Sequence, residues 1–230
     1  MDLDKVTRFK DASWLGAEEQ CIIGGAGGIG SWLAFLLARA NFIPIVYDFD
    51  KLEEHNLGGQ LFPITGIGKF KVEVLGLLIR EFCDTTIWQM NEKFTLNSMG
   101  GNLMFSGFDN MKAREDMFHV WEKCVNIVPE YERYQHIFID GRLLAEQMQI
   151  LCVTGDKPED IERYRTEYLF SDEDVPDGPC TMKQTSHAAA MIAAMMVGFF
   201  TNFIHNMRTN TKSRVVPFYH EYFIPLNMFS

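Results

Sequence analysis

The segment from residue 20 to residue 48, QCIIGGAGGIGSWLAFLLARANFIPIVYD, determines the fold class of this chain. Residues 20–24 predict a short buried strand, residues 31–40 an apolar helix, and residues 43–47 a second strand that ends at Asp48. A strand, a glycine-rich turn, a helix and a second strand in this order predict a parallel sheet with right-handed crossovers.

The turn between the first strand and the helix has the pattern Gly-x-Gly-x-x-Gly. Its glycines are Gly25, Gly27, Gly28 and Gly30. Glycine lets the backbone turn tightly and approach a phosphate closely, and the helix N-terminus attracts negative charge. Asp48, placed to accept hydrogen bonds from ribose hydroxyls, completes the pattern of a nucleotide site. A chance run of glycines is the alternative, and the motif by itself does not separate ATP from NAD.

Later segments extend the same alternation of strands and helices. Further strands are predicted at 86–89, 103–105, 136–140 and 148–154, with helices at 72–82, 111–124 and 186–205. Residues 155–178 are charged and predict an exposed excursion with one helical turn near 161–164. The apolar, aromatic tail from 215 to 229 predicts antiparallel strands. We therefore expect one α/β domain over residues 1–230, Rossmann-like, with a mainly parallel sheet, helices on both faces and antiparallel C-terminal strands.

Composition narrows the range of functions. The formal net charge of −10 disfavours non-specific binding to nucleic acid or to an anionic membrane. The longest apolar run, residues 188–200, is too short for a membrane span and predicts a buried helix. The five cysteines form no Cys-x-x-Cys pair, which argues against a disulfide framework or a zinc site and favours a reducing, cytoplasmic location.

Motifs downstream of Asp48 resemble the signature of ubiquitin-activating enzymes and of the bacterial adenylyltransferases that act on sulfur-carrier proteins in molybdopterin and thiamine synthesis. The matching residues are Asp48-x-Asp50, Glu53, Asn56-Leu57-x-x-Gln60-x-Phe62, Gly68-x-x-Lys71, and Ser106-Gly107-Phe108-Asp109-Asn110 followed by Arg114. Phe108 stands where the family has threonine. The resemblance covers residues 8–115 well and the remainder in outline.

The resemblance implies a role for each motif residue. ATP would lie on the glycine turn beside Asp48 and Asp50, with Asn56 and Gln60 lining the phosphates. Lys71 would reach the phosphates, and Asp109 would hold Mg²⁺. Taken singly, Lys71 could instead be a solvated lysine at a helix start, and Asp109 could cap the helix that begins near residue 111.

One position departs from the family pattern, because Gly59 occupies the place of an arginine that would contact the triphosphate. Lys69 and Arg8 are the candidates to replace that cation. Arg8 lies where relatives have an N-terminal arginine that reaches a neighbouring subunit's site. The alternative is that adenylation is weak or lost.

Cys180, in Gly178-Pro-Cys-Thr-Met-Lys183, resembles the segment of activating enzymes that forms a thioester. Lys183, His187 or the following helix N-terminus would lower the pKa of such a thiol. A cysteine packed at the loop's entry to the long helix, or a remnant of the zinc-binding cysteines of relatives, is the alternative.

Three functions follow from these observations. The first is ATP-dependent adenylation of the C-terminal carboxylate of a small ubiquitin-like protein, a sulfur-carrier protein or a peptide, with possible thioester transfer to Cys180. The resemblance also implies a homodimer. The second is a catalytically weakened nucleotide-binding or scaffolding relative, and the third is an NAD-dependent oxidoreductase, which only the glycine motif supports.

Overall fold

The computed structural model describes residues 9–170, 185–226 and 228–229. Within these ranges the strands are β1 (Gln20–Gly24), β2 (Ile43–Tyr47), β3 (Trp88–Met90), β4 (Leu103–Ser106), β5 (Ile137–Leu144), β6 (Gln147–Thr154), β7 (Tyr219–Phe223) and β8 (Met228–Phe229). The helices are α1 (Gly28–Arg39), α2 (Lys71–Cys83), α3 (Met111–Ile127), α4 (Pro158–Arg163) and α5 (Ser186–Thr209).

All of these strands join one mixed sheet in the order β3-β2-β1-β4-β5-β6-β7-β8. The strands from β3 to β5 pair in parallel. The pairs from β5 to β8 are antiparallel. The predicted Rossmann-like fold with antiparallel C-terminal strands is therefore confirmed. The strand order reverses between β1 and β4, and in such sheets ligands bind outside the carboxyl ends of the strands at this reversal.

Helices cover both faces of the sheet, as the sequence predicts. Because successive side chains of a strand point to opposite faces, Cys21 and Ile23 pack with α1, α2 and α5, whereas Ile22 packs with α3. The buried aromatic residues of the second face include Trp121 and Phe138. Two apolar layers thus fix the register of the parallel strands.

Helix α5 is long and apolar enough to cross a membrane by length and composition alone. The helix extends beyond the apolar run at 188–200, so the length argument of the sequence analysis does not hold. In the structure, one side of α5 packs against α1, β5 and β6, where Ile192, Met196 and Phe200 are fully buried. The prediction of a buried helix at this position agrees with this packing.

Two segments differ from the sequence prediction. Helix α1 begins at Gly28 rather than at Ser31, since the last glycines of the turn already form its first turn. The charged segment after residue 154 is exposed or half-buried at most of its described positions, as predicted, and residues 171–178 lie outside the described residues. Its helical part is longer than the single turn predicted near 161–164, because α4 continues into a π-helical turn, Tyr164–Tyr168, in which Tyr164 is fully buried. The Tyr164 ring packs on Phe118 and Phe138, which holds this segment against the sheet.

Candidate nucleotide-binding site

The glycine turn lies at the carboxyl end of β1, beside the point where the strand order reverses. Gly25 has φ +88°, a conformation that side chains rarely adopt, and its N–H donates to the carbonyl of Tyr47 at 2.8 Å. A Cβ on Gly30 would lie 1.8 Å from the carbonyl oxygen of Gly25. Only glycine at residue 30 therefore lets the first turn of α1 pack this closely on the loop.

The N-terminus of α1 is open toward this edge of the sheet. Gly27 is its N-cap, and no side chain caps the first amides of the helix. A Cβ on Gly27 would meet no atom within 4 Å. Free backbone N–H groups at the positive end of a helix form a site for an anion such as a phosphate.

Asp48 fastens this turn to the next loop. Its Oδ2 accepts a hydrogen bond from the N–H of Ala26 at 2.7 Å, and its Oδ1 accepts one from the N–H of Asp50 at 2.8 Å. Burial raises the pKa of Asp48 above its ordinary value of 3.8, and the nearby Lys71 and the two amides offset only part of this rise. Each carboxylate oxygen has a further lone pair, so Asp48 can still accept from a ribose hydroxyl.

Lys71 is buried at the start of α2 and is not the solvated lysine of the alternative interpretation. Its Nζ lies 2.9 Å from Oδ2 of Asp50, and its side chain is 8% exposed, against 50% for Asp50. The N–H of Lys71 also donates to the carbonyl of Asp50. The structure thus places the predicted lysine and both predicted aspartates in one cluster beside the glycine turn.

Asn56 and Gln60 lie in the connection between β2 and α2. Asn56 is buried, and its Oδ1 accepts from the N–H of Glu53 at 2.9 Å. Oε1 of Gln60 is buried without a hydrogen-bond partner in the part of the chain that the structure describes. An unpartnered buried acceptor costs free energy that a donor from a ligand or a water would offset.

Two serine hydroxyls hold this connection against the helices. Ser31 Oγ, in the first turn of α1, accepts from the N–H of Leu61 at 3.0 Å. Ser186 Oγ, at the start of α5, donates to the carbonyl of Gly58 at 2.7 Å. Sequence analysis did not select either serine. The one feature of the sequence that could have selected them is their position, since each lies in the first turn of a helix.

Gly59, at the place of the family arginine, is buried. Of the two cations considered as replacements, Lys69 is exposed and Arg8 lies outside the described residues. Among the residues that the structure describes, no contact places Lys69 at the glycine turn.

Asp109 lies in the loop after β4, next to the glycine turn. The N–H of Gly107 donates to the carbonyl of Gly24 at 2.9 Å, which joins the two loops. Asn110 caps α3, because its Oδ1 accepts from the N–H of Ala113 at 2.8 Å. The capping role considered for Asp109 therefore belongs to Asn110, and the exposed Asp109 carboxylate accepts from the side-chain amide of Asn110 at 3.3 Å.

A buried ionic network supports the loop that carries Asp109. Arg114 pairs with the fully buried Asp140 and donates to the carbonyl of Phe108. Asp140 Oδ2 also accepts from Arg142 Nε at 2.7 Å and from the hydroxyl of Tyr164 at 3.0 Å. Three separate elements therefore converge on one carboxylate.

Burial of the Asp140 carboxyl raises its pKa, but Arg114 and Arg142 outweigh this effect and hold the pKa below 3.8. Apart from Arg114, sequence analysis did not select these residues. The predicted strand at 136–140 excludes Arg142, and only the longer β5 places Asp140 and Arg142 two residues apart on one face of a strand.

Cys180 lies outside the described residues, as does Lys183. Burial raises the pKa of the four described thiols, those of Cys21, Cys83, Cys124 and Cys152. His187 is exposed, and the N-cap of α5 is Thr185, whose side chain accepts from the N–H of Ala188.

No group of three or more metal-binding side chains occurs in the described part of the chain. A magnesium ion at Asp109 would therefore take most of its ligands from nucleotide phosphates and water. That arrangement is usual for Mg²⁺, which commonly binds one or two carboxylates together with substrate phosphates.

Comparison with known proteins identifies a sequence family that covers most of this chain. The sequence model described as the ThiF family matches residues 16–228. No curated protein matches the chain in sequence.

Several solved structures are similar in fold. Selenomethionine PaaA superposes with a TM-score of 0.67 at 14% identity, covering 100% of this chain and 68% of PaaA. Escherichia coli MccB with ATP has a TM-score of 0.69 at 15% identity, covering 96% of this chain and 65% of MccB. The microcin C7 biosynthetic enzyme MccB with N-formylated MccA has a TM-score of 0.69 at 16% identity, covering 96% and 66%. This chain thus spans about two thirds of the length of these proteins.

Proposed function

We propose that this chain, which belongs to the ThiF family, is an ATP-dependent adenylyltransferase that activates the C-terminal carboxylate of a peptide, a small ubiquitin-like protein or a sulfur-carrier protein. The observation that carries the proposal is the convergence of three features at the strand-order reversal. They are the uncapped N-terminus of α1, the buried Lys71 and the loop of Asp109. An NAD-binding site requires neither the buried Lys71 nor a metal-binding carboxylate in the loop of Asp109.

The chemistry needs charge stabilisation more than proton transfer. An oxygen of the acceptor carboxylate attacks the α-phosphorus of ATP, the bond to the bridging oxygen breaks, and pyrophosphate leaves with that electron pair. The amides at Gly27 and Gly28 would hold phosphate oxygens, and Lys71 would neutralise their charge. Mg²⁺ at Asp109 would supply further charge neutralisation.

Similar folds support a peptide acceptor. MccB was solved both with ATP and with N-formylated MccA. In the described part of this chain, the unpartnered Oε1 of Gln60 could accept from an N–H of a bound peptide, whereas a phosphate would need the NH₂ of the same side chain.

A second candidate function rests on Gly59. Without the family arginine the site has one cation fewer for the triphosphate, which favours a relative that binds nucleotide but adenylates weakly or not at all. Measuring nucleotide binding and turnover separately distinguishes the two candidates.

The remaining features belong to the same proposal. We expect a homodimer, because α5 exposes Ala194 and Gly198 on the side that does not face the core, with Met191 and Met195 partly buried beside them.

A thioester at Cys180 would follow adenylation. The location would be cytoplasmic, with no nucleic-acid, membrane or zinc binding.

Two measurements test the proposal. ATP with Mg²⁺ should raise the melting temperature more than NAD does, because a ligand that binds only the native state stabilises it. Asp109→Ala should remove the magnesium-dependent part of the shift, whereas Glu130→Ala, at another exposed carboxylate, should retain it. Exchange of labelled pyrophosphate into ATP, dependent on an acceptor peptide, would establish turnover. Equal stabilisation by NAD would refute the nucleotide assignment, and binding without exchange would favour the second candidate.

A further inference from the structure

A cavity of about 370 Å³ lies away from the nucleotide site. It is lined by the last two turns of α5, the following loop at 210–216, and the segment after β6. Thr154, at the end of β6, pairs with Ile137, at the beginning of β5. The cavity is therefore at the edge where the parallel strands begin, opposite to the edge with the glycine turn. Its volume lies within the range of small-molecule sites.

The cavity has an apolar floor and a fixed wall. Phe203, Met207 and Val216 provide the apolar surface. The side-chain amide of Asn206 donates to the carbonyl of Arg214 at 2.7 Å and accepts from its N–H at 3.0 Å. This pair of bonds fastens the loop to α5, so the cavity is preformed.

The rim is positively charged in a protein whose net charge is −10. Three cations line it, Lys157, Lys212 and Arg214, against one carboxylate, Asp156. Lys157 pairs with Asp160, but Lys212 and Arg214 form no ion pair with any residue that the structure describes. The two cations are therefore available to an anion.

Two neighbouring features fit an anionic occupant. The C-terminal end of α5 carries partial negative charge, and an anion would therefore sit toward Lys212 and Arg214; the carbonyl of Asn206 accepts from the N–H groups of Asn210 and Thr211. Thr154, which lines the cavity, is 8% exposed, and its Oγ1 has no hydrogen-bond partner in the described part of the chain. A hydroxyl buried in this way costs free energy unless a ligand atom or a water pairs with it.

We infer that this cavity is a second binding site, for a small molecule that joins an anionic group to an apolar body. The anion would pair with Arg214 and Lys212, and the apolar body would cover Phe203, Met207 and Val216. Apolar contact supplies affinity and the charges fix orientation, which is the usual division in small-molecule sites.

The test uses the fluorescent probe 8-anilinonaphthalene-1-sulfonate, which has a sulfonate on aromatic rings, with the full chain. We expect saturable one-to-one binding that excess ATP with Mg²⁺ does not displace. The double variant Lys212→Gln/Arg214→Gln should bind the probe about tenfold more weakly, since it loses two charge-assisted contacts. The matched control Arg80→Gln/Lys123→Gln, which removes the same charge from exposed positions elsewhere, should bind as the parent does.

A third variant, Val216→Glu, places a negative charge on the apolar floor and should also weaken the probe. Circular dichroism spectra of all variants must match that of the parent for the comparison to count. Displacement by ATP, equal affinity in the two double variants, or binding without saturation would each overturn the inference. None of these readouts depends on adenylation, so a failure here leaves the proposed function standing.

Discussion

Replacing Asp140 by asparagine should destabilise the fold strongly while leaving its shape unchanged. Asparagine keeps the size of the side chain but removes the charge that faces Arg114 and Arg142. Their side chains are only 8% and 14% exposed, so water cannot replace the lost partner. Removing one partner of a buried pair costs about 3–5 kcal/mol, because an uncompensated charge stays buried.

For a chain of 230 residues, 1 kcal/mol shifts the melting temperature by about 2–4 °C. The expected decrease for Asp140→Asn is therefore about 6–20 °C. Glu115→Gln removes one carboxylate from the exposed pair with Lys112 and should cost about 1 kcal/mol or less.

The effect of Asp140→Asn should also depend on pH. The pKa of Asp140 is lower in the folded protein than its ordinary value of 3.8, so at acid pH the unfolded chain binds the proton more tightly. The stability that Asp140 contributes is fully present above pH 4, roughly, and is lost as the pH falls through the folded pKa. The difference between parent and variant should thus be constant from neutral to mildly acid pH and should shrink below that.

Urea unfolding of the parent, Asp140→Asn and Glu115→Gln across this pH range measures both effects. The reasoning would be refuted if Asp140→Asn cost no more than Glu115→Gln. A difference that did not shrink at acid pH would exclude the ionised carboxylate as its cause.

Three further predictions concern the nucleotide site and the thiols. Gly30→Ala should abolish ATP binding in calorimetry and cost about 1–3 kcal/mol, since the added methyl overlaps a carbonyl oxygen of the turn; unchanged affinity would contradict the close packing. Lys71→Met should weaken ATP about tenfold and leave Asp50 unpaired, whereas Lys10→Met, at an exposed position, should have no effect on ATP affinity. Mild alkylation near neutral pH, mapped by mass spectrometry, should label Cys180 first, because burial raises the pKa of the four described thiols; uniform labelling would argue against the thioester.

The local sequence determined the elements around the glycine turn. The bounds of β1 and β2 agree with the prediction residue for residue. Polar or glycine residues bound these apolar runs, Glu19 and Gly25 for β1 and Asn41 and Asp48 for β2, which leaves little choice of strand limits. Consecutive strands joined by one crossover helix are usually neighbours in the sheet. The order of the motifs was equally informative about the family. The glycine turn and the helix after it require particular residue types at particular spacings in the sequence.

Predictions from the sequence were less accurate where contacts with distant segments determine the structure, as at the end of β5. The sequence predicts a strand over 136–140, whereas β5 continues to Leu144, because residues 141–144 pair with β6. Arg114, 26 residues away in the chain, compensates the charge of Asp140 in the middle of this longer strand.

Tertiary structure alone decided which polar groups meet. Nothing in the spacing of Lys71 and Asp50 requires a contact, since they are 21 positions apart in a connection with two short 3-10 turns, Glu54–Gly58 and Ile64–Gly66. The pair forms because the connection folds back and places the start of α2 beside the end of β2. Periodicity in a sequence reports which face of an element is buried, but the choice of partner across that face depends on how the crossovers pack.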